Sequence, residues 1–167
     1  METDFDIRKA EDREIDSLMD IYLDKVRRLR ERGTPMWDES LFTRESLKKK
    51  YLDPDYYVAV KDGEIIGGFI LIEYDGRYWP ENKADNAYYF HKFVIKNEYC
   101  GKGYSGRILR WVQAYAGAKG KRFLRLDFDE HRTYLKNMYL SNGFIPTDRK
   151  PNEMGIQVTK AEYIIGT

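Results

Sequence analysis

The sequence predicts a mixed α/β (α+β) fold, a mostly antiparallel sheet with helices on both faces, and three stretches carry that expectation. Asp62-Gly63 separates two strand-like runs, and this pair favours a two-residue type I′ hairpin. Between Ile15 and Leu29 apolar residues recur at helical spacing for about four turns. A run rich in aromatic and branched residues, Ala87 to Ile95, then leads through a short polar connector into Gly101-Lys102-Gly103-Tyr104-Ser105-Gly106 and a second amphipathic helix.

Each element follows from local chemistry. Phe5-Asp6-Ile7-Arg8 alternates apolar and polar and reads as a first strand. Glu11 and Asp12 open a helix whose buried stripe is Ile15, Leu18, Met19, Tyr22, Leu23, Val26 and Leu29, and Gly33 and Pro35 end it. Arg27, Arg28, Arg30 and Arg32 crowd its last turns, where cations suit the negative end of the dipole; a substrate or nucleic-acid patch is the alternative. Trp37, in the loop from Thr34 to Asp38, is either a packing plug or a wall of a binding cleft. Leu41 to Leu52 reads as a second short helix stopped by Pro54.

Tyr56 to Val60 and Ile65 to Tyr74 are the hairpin strands, and Gly67-Gly68 within the second marks a bulge or a close backbone approach. A polar loop, Asp75 to Asn86, carries Tyr78, Trp79 and Pro80 before the strand Ala87 to Ile95. After the glycine loop, Ile108, Leu109, Val112, Tyr115 and Ala116 form a helical stripe that stops at Gly117 and Gly120. Phe123 to Phe128 is a strand, and Tyr134 to Leu140 is a short helix closed by Asn142-Gly143. Phe144-Ile145 and Ile156 to Ile165 supply the last strands, separated by a polar loop around Pro151. The order is β-αα-βββ-α-β-α-β(β). With no repeat, low-complexity tract or linker, a single domain over residues 1–167 is expected.

Composition narrows the function classes. The chain is 42% apolar and 34% charged, ordinary for a folded protein and wrong for a disordered one. A net charge of +1 gives no global field to recruit nucleic acid or a membrane surface. No run approaches the roughly 20 apolar residues of a membrane span. Cys100 is the only cysteine, so a reducing compartment fits best. The acidic N-terminal stretch lacks an apolar signal-peptide core, and a cytoplasmic protein is expected.

The glycine-rich loop at the start of a helix suits a phosphate or pyrophosphate, because its backbone N–H groups converge at the positive end of the helix dipole. Its spelling also satisfies G-x-G-x-x-G, with Asp127 and Asp129 about 20 residues on, where a dinucleotide-binding chain places its ribose acid. Three observations oppose a dinucleotide-binding oxidoreductase. Lys96 to Cys100 intervene between strand and loop, a helix pair and a hairpin precede it, and only 61 residues follow Gly106. No G-x-x-x-x-G-K-[ST] is present.

Four segments in order carry a further inference: Tyr89 to Ile95, Cys100 to Gly106, Leu124 to Asp127, and Tyr139 to Phe144. Together they resemble the GNAT N-acetyltransferase superfamily, whose pattern is a strand, a Q/R-x-x-G-x-G/A loop, a helix, a strand, and a short helix ending in G-F. The resemblance implies acetyl-CoA as acyl donor, no metal, and direct transfer to a small-molecule amine or a peptide amino group within a ternary complex. It implies that the amides of Cys100, Gly101, Lys102, Gly103, Tyr104, Ser105 and Gly106 hold the pyrophosphate; the Lys102 side chain either faces the phosphates or is solvated, and Ser105 either adds a hydroxyl donor or is simply small enough to fit. Phe93, Val94 and Ile95 would offer backbone groups to the pantetheine arm. One such N–H would polarise the thioester carbonyl, a contribution of about 3 kcal/mol for a single donor. Tyr139 matches the residue that protonates the departing thiolate, and Asp127 and His91 are the candidates for the base. Trp37, Trp79 and Tyr89 are the candidate acceptor contacts. No nucleic-acid or membrane partner is implied, and a homodimer is left open.

The chain also departs from that pattern. Cys100 stands where Gln or Arg is usual, Ser105 where Gly or Ala is usual, and Arg132 where an Asn is usual. Arg132 either makes a phosphate contact or points elsewhere. These departures motivate a second reading, a CoA-binding but catalytically silent sensor or scaffold. A covalent acyl-enzyme on Cys100 is disfavoured, since no His lies near it in sequence.

Overall fold

Asp62 and Gly63 both take positive φ, 49° and 82°, as a type I′ turn demands. They join strand β2 (Asp55–Lys61) to β3 (Glu64–Ile72) in antiparallel register, with Lys61 opposite Glu64. Around this hairpin a computed structural model, which describes residues 4–82 and 84–166, places the remaining elements in the expected order. They are β1 (Phe5–Lys9), α1 (Asp12–Glu31), α2 (Arg44–Lys50), β4 (Ala87–Ile95), α3 (Tyr104–Ala118), β5 (Phe123–Asp129), α4 (Thr133–Ser141), β6 (Ile145–Pro151) and β7 (Gln157–Ile164). Lys83, within the expected 75–86 loop, and residues 1–3 and 167 of the expected domain lie outside the described residues. The seven strands form a mixed, mostly antiparallel sheet in the order β1-β2-β3-β4-β5-β7-β6, with β4 and β5 parallel. No helix among the described residues is long and apolar enough to cross a membrane.

The described residues form two compact units. One comprises the described part of Met1–Leu71 with Lys92–Tyr104, and the other Ile72–His91 with the described part of Ser105–Thr167. In the first, α1 opens on a capping box in which the Glu11 N–H donates to Glu14 Oε1 at 3.0 Å. Ile15, Leu18, Met19, Tyr22, Val26 and Leu29 are buried as expected. Leu23 is not: it is 39% exposed on the rim of the stripe, and Ile21 is buried instead. The expected helix from Leu41 to Leu52 is shorter, because two caps divide it. Asp38 accepts the Ser40 N–H at 2.8 Å and opens a 3₁₀ turn at Glu39–Leu41, and Thr43 accepts the Ser46 N–H at 3.0 Å and starts α2. Gly67 and Gly68 answer a close approach. A Cβ at Gly67 would overlap the carbonyl oxygen of Val94, and one at Gly68 would overlap that of Tyr57 and press on Leu18. A register shift beside them, between Ala59 and Val60, adds the bulge.

In β4 the residue Lys92 takes φ 52°, an unusual conformation for a side chain of that size. The buried Tyr22 hydroxyl donates to the Lys92 carbonyl and holds it there. The chain passes from one unit to the other at this residue. Ala87, Tyr88 and Tyr89 pair with Phe123, Leu124 and Arg125 of β5 in the second unit. Val94 approaches Gly67, and the Lys96 N–H donates to the Ile66 carbonyl at 2.7 Å, in the first.

In the second unit Leu124, Leu126 and Phe128 of β5 are buried on one side of the strand, where Phe128 meets Tyr139 of α4. The glycine loop is shorter than expected: only Gly101 and Gly103 have positive φ, and Tyr104, Ser105 and Gly106 already form the first turn of α3. The expected polar loop around Pro151 is also revised. Residues 145–151 pair with β7 as an edge strand, and an edge strand exposed on both faces carries no apolar alternation to betray it.

Gly67→Ala is expected to destabilise the fold by about 1–3 kcal/mol or more, since the obstacle is backbone that cannot rotate away. Urea unfolding measures it, and a midpoint within error of the parent would disprove the close approach.

Candidate active site

The residues expected to hold a phosphate lie on exposed chain in the first unit and at the start of α3. Gly101 and Gly103 have φ of 74° and 85°, and a Cβ built on either would meet nothing within 4 Å. A 3₁₀ turn, Asn97–Tyr99, separates β4 from this loop, which explains why the dinucleotide spelling does not sit directly on its strand. The first N–H groups of α3 lack intrahelical acceptors by geometry, so loop and helix start together present donors suited to an anion. Lys102 is exposed with its ammonium 5.9 Å from the Tyr99 ring centre, free to reach a phosphate. Cys100 is exposed, its sulfur 3.5 Å from Lys25 Nζ, and Tyr104 stacks on Phe5 at 5.5 Å. Phe93 and Ile95 are half-buried and Val94 is buried. Trp37 is half-buried and packs against Tyr22 and Phe42, with Lys92 Nζ 5.5 Å from its ring centre.

The second unit gathers most of the expected chemistry. Alternation along β4 and β5 sends Tyr89, His91, Arg125 and Asp127 to the face opposite Leu124 and Leu126. His91 is buried between two carboxylates. Its Nε2 lies 3.1 Å from Asp75 Oδ2, and its Nδ1 lies 3.9 Å from Asp127 Oδ2. Asp75 is itself fixed: its Oδ1 accepts the N–H groups of Arg77 and Tyr78 at 3.1 and 3.3 Å, and its carbonyl accepts that of Trp79 at 2.9 Å. Burial works to raise the Asp75 pKa, but His91 and these two N–H donors outweigh it and hold the carboxyl below its usual range. Tyr78 is pushed up to about 12, by burial first and then by the charge of Asp127.

Trp79 and Tyr89 are buried rather than displayed, with ring centres 6.0 Å apart, and they border a charge network. Arg125 donates from Nε to Glu162 at 2.9 Å and from Nη1 to the Tyr89 hydroxyl at 3.2 Å, and pairs with Asp85 at 2.9 Å. Its guanidinium lies 4.7 Å from the Trp79 ring centre. Tyr139, on α4, packs on Phe128 at 5.4 Å and edge-on to Phe144 at 5.8 Å. Burial, then the Asp127 charge, raises its pKa far above that of a free phenol, so its proton stays on at neutral pH. Arg132 occupies the N-cap position of α4 without a side-chain capping hydrogen bond, and its Nε lies 3.4 Å from Asp129 Oδ2.

Asp75, His91 and Asp127 also bring ligand atoms within 4.8 Å of one another. The two carboxylates, however, face different ring nitrogens, and one metal ion binds only one of them, so the arrangement suits a proton better than a metal. A separate open groove of about 640 Å³, lined by Phe128, Glu130, His131, Lys136, Asp148 and Thr159 among others, contains none of His91, Asp127 or Tyr139.

The family question is settled by comparison. Residues 16–144 match the model of the acetyltransferase (GNAT) family, and the chain belongs to that family. Solved structures share its fold. A GNAT acetyltransferase from Listeria monocytogenes superposes with a TM-score of 0.76 at 19% identity, over 96% of this chain and 95% of the other. The yncA protein of Salmonella typhimurium, solved with acetyl-CoA, gives 0.70 at 15% identity over 98% and 95%. A chimera of the spermidine N-acetyltransferase SpeG from Vibrio cholerae and hSSAT gives 0.70 at 16% over 96% and 95%. No curated protein matches the chain by sequence.

Sequence reasoning missed Asp75 and Lys160. Asp75-Gly76 reads as an ordinary turn, and nothing local says that its carboxylate is aimed at a histidine 16 residues on. Lys160 lies in a strand of mixed polarity and becomes notable only through its register opposite Asp127.

Because the folded Asp75 pKa is depressed, its stabilising contribution is fully present above the unfolded value of about 3.9 and is lost as pH falls through the folded one. The stability gap between the parent and Asp75→Asn is therefore expected to shrink as pH falls below about 4. Urea titrations across pH 3–7 test this; a gap that does not narrow would show that Asp75 is not held ionised.

Proposed function

We propose that this chain is an N-acetyltransferase that moves an acetyl group from acetyl-CoA to the amino group of a small molecule or peptide. The observation that carries this reading is the buried imidazole of His91 between Asp75 and Asp127, on a chain of the acetyltransferase (GNAT) family. The yncA structure holds acetyl-CoA, and a pyrophosphate such as its own would be received by the backbone N–H groups of residues 101–106, where Gly101 and Gly103 leave open space. Bound acetyl-CoA supplies an activated thioester.

The chain's own groups manage the protons. An amine acceptor arrives largely as an ammonium ion and must lose a proton before its nitrogen can attack. His91 takes that proton, with Asp75 fixing the ring from the opposite nitrogen and Asp127 balancing the positive charge that forms. Tyr139 acts at the leaving sulfur, where its firmly held proton makes it a hydrogen-bond donor to the developing thiolate. Arg132, engaged with Asp129, supports the start of α4 rather than the phosphates. The whole chain serves as one catalytic domain, and a homodimer is compatible with the reading. The spermidine specificity of the SpeG chimera makes cationic amines one acceptor class to assay.

Acetyl-CoA at a hundredfold excess over Kd is expected to stabilise the protein by about 2.7 kcal/mol, read as a rise in Tm, while NAD(H) leaves Tm unchanged. Release of CoA thiol above the buffer rate with at least one amine separates the enzyme from a silent CoA binder. Tyr139→Phe is expected to lower kcat by about 10²-fold with little change in acetyl-CoA affinity. Unaltered turnover would remove Tyr139 from the chemistry.

A further inference from the structure

Two cations stand on the polar strand face of the second unit, in opposite situations. Arg125 is saturated by Glu162, Asp85 and the Tyr89 hydroxyl. Lys160 has no carboxylate within ion-pair distance among the described residues, although its register partners are Asp127 on β5 and Asp148 on β6. Asp127 is turned to His91, and Asp148 accepts the N–H of Arg149 at 2.8 Å. The Lys160 ammonium instead lies 4.3 Å from the centre of the Trp79 ring. Trp79 is 4% exposed, and its own Nε1–H has no acceptor among the described residues. Burial lowers the Lys160 pKa, with Asp148 opposing. A half-buried ammonium without a carboxylate, beside an indole donor without an acceptor, is a costly arrangement for a fold to keep. An incoming oxyanion relieves it.

We infer that Lys160 is the anchor for a carboxylate on the acceptor, and that the acceptor class is therefore a zwitterionic amino acid rather than a polyamine. This deepens the acetyltransferase reading and rests on it. Directly opposed residues of an antiparallel pair have Cα atoms about 4.5–5.5 Å apart. Asp127 and Lys160 thus offer opposite charges, one strand apart, to a molecule whose amine and carboxylate are separated by a few bonds. The amine end meets the His91–Asp127 pair and the carboxylate end meets Lys160 over Trp79. A polycation gains nothing from the second contact and is repelled by it. A site built to bind one polar group discriminates strongly against analogues that lack it, because its own donors are then left unpaired.

The test compares free amino acids, their methyl esters and spermidine as acceptors, with the parent protein, Lys160→Met and Lys160→Arg. CoA release gives kcat/KM, and thermal shift in the presence of CoA reads acceptor binding without turnover. At least one amino acid is expected to outperform its ester tenfold or more in both readouts. Lys160→Met should bring that ratio towards one, chiefly through KM, and Lys160→Arg should restore much of it. Esters or spermidine matching the best amino acid, no thermal shift from any amino acid, or a preference that survives Lys160→Met would each overturn the proposal. Absence of CoA release with every amine, alongside a Lys160-dependent thermal shift, would overturn the catalytic reading while sustaining this one.

Discussion

Much of this structure depends on the hydrogen bond from the Tyr22 hydroxyl to the carbonyl of Lys92. A lysine at φ 52° inside a strand is unfavourable by about 1–3 kcal/mol, so it persists only where its surroundings over-determine it. A buried phenol with a carbonyl acceptor is such a surrounding, and Phe42 stacked on Tyr22 at 4.5 Å leaves the ring little room to turn away. With the unusual backbone fixed at Lys92, residues 87–89 pair with β5 and set Tyr89 beside Arg125, while Val94 approaches β3 and the chain leads on into the glycine loop. One strand therefore serves two purposes.

Electrostatics in the second unit rest on close pairing of buried polar groups. Arg125 has Asp85 and Glu162, and His91 has Asp75 with Asp127 beyond. Such networks contribute less to net stability than to arrangement, since desolvation consumes most of the Coulombic gain. What they provide is a histidine flanked by a carboxylate at each ring nitrogen, at 3.1 and 3.9 Å. Lys160 is the exception on that face, and an exception in an otherwise balanced network is more informative than one more pair.

How much of this was legible in the residues depended on whether the signal was local. The Asp62-Gly63 turn, the stripe of α1, the span of β4 and the Asn142-Gly143 stop all rest on short-range chemistry, and the structure reproduces them, with Gly143 at φ 89°. The Gly67-Gly68 pair announced a close approach but could not name its partner, the carbonyl of Val94. Boundaries failed where a polar side chain acted on the backbone, as at Thr43, or where an edge strand needed no apolar face, as over residues 145–151. Within the site, His91, Asp127 and Tyr139 were reachable through motif order. Asp75 and Lys160 were not, because their meaning lies in tertiary neighbours and strand register.

The outermost strand, β6, bears on how the chain behaves in company. Pro146, its second residue, and Pro151, its last, have no N–H to donate, and between them stand Asp148, Arg149 and Lys150 with a register shift between Pro146 and Asp148. Such a rim is a poor template for another molecule's strand. Crowded copies are thereby discouraged from zipping edge to edge into open-ended polymers at this side of the sheet, where β6 is the outermost strand.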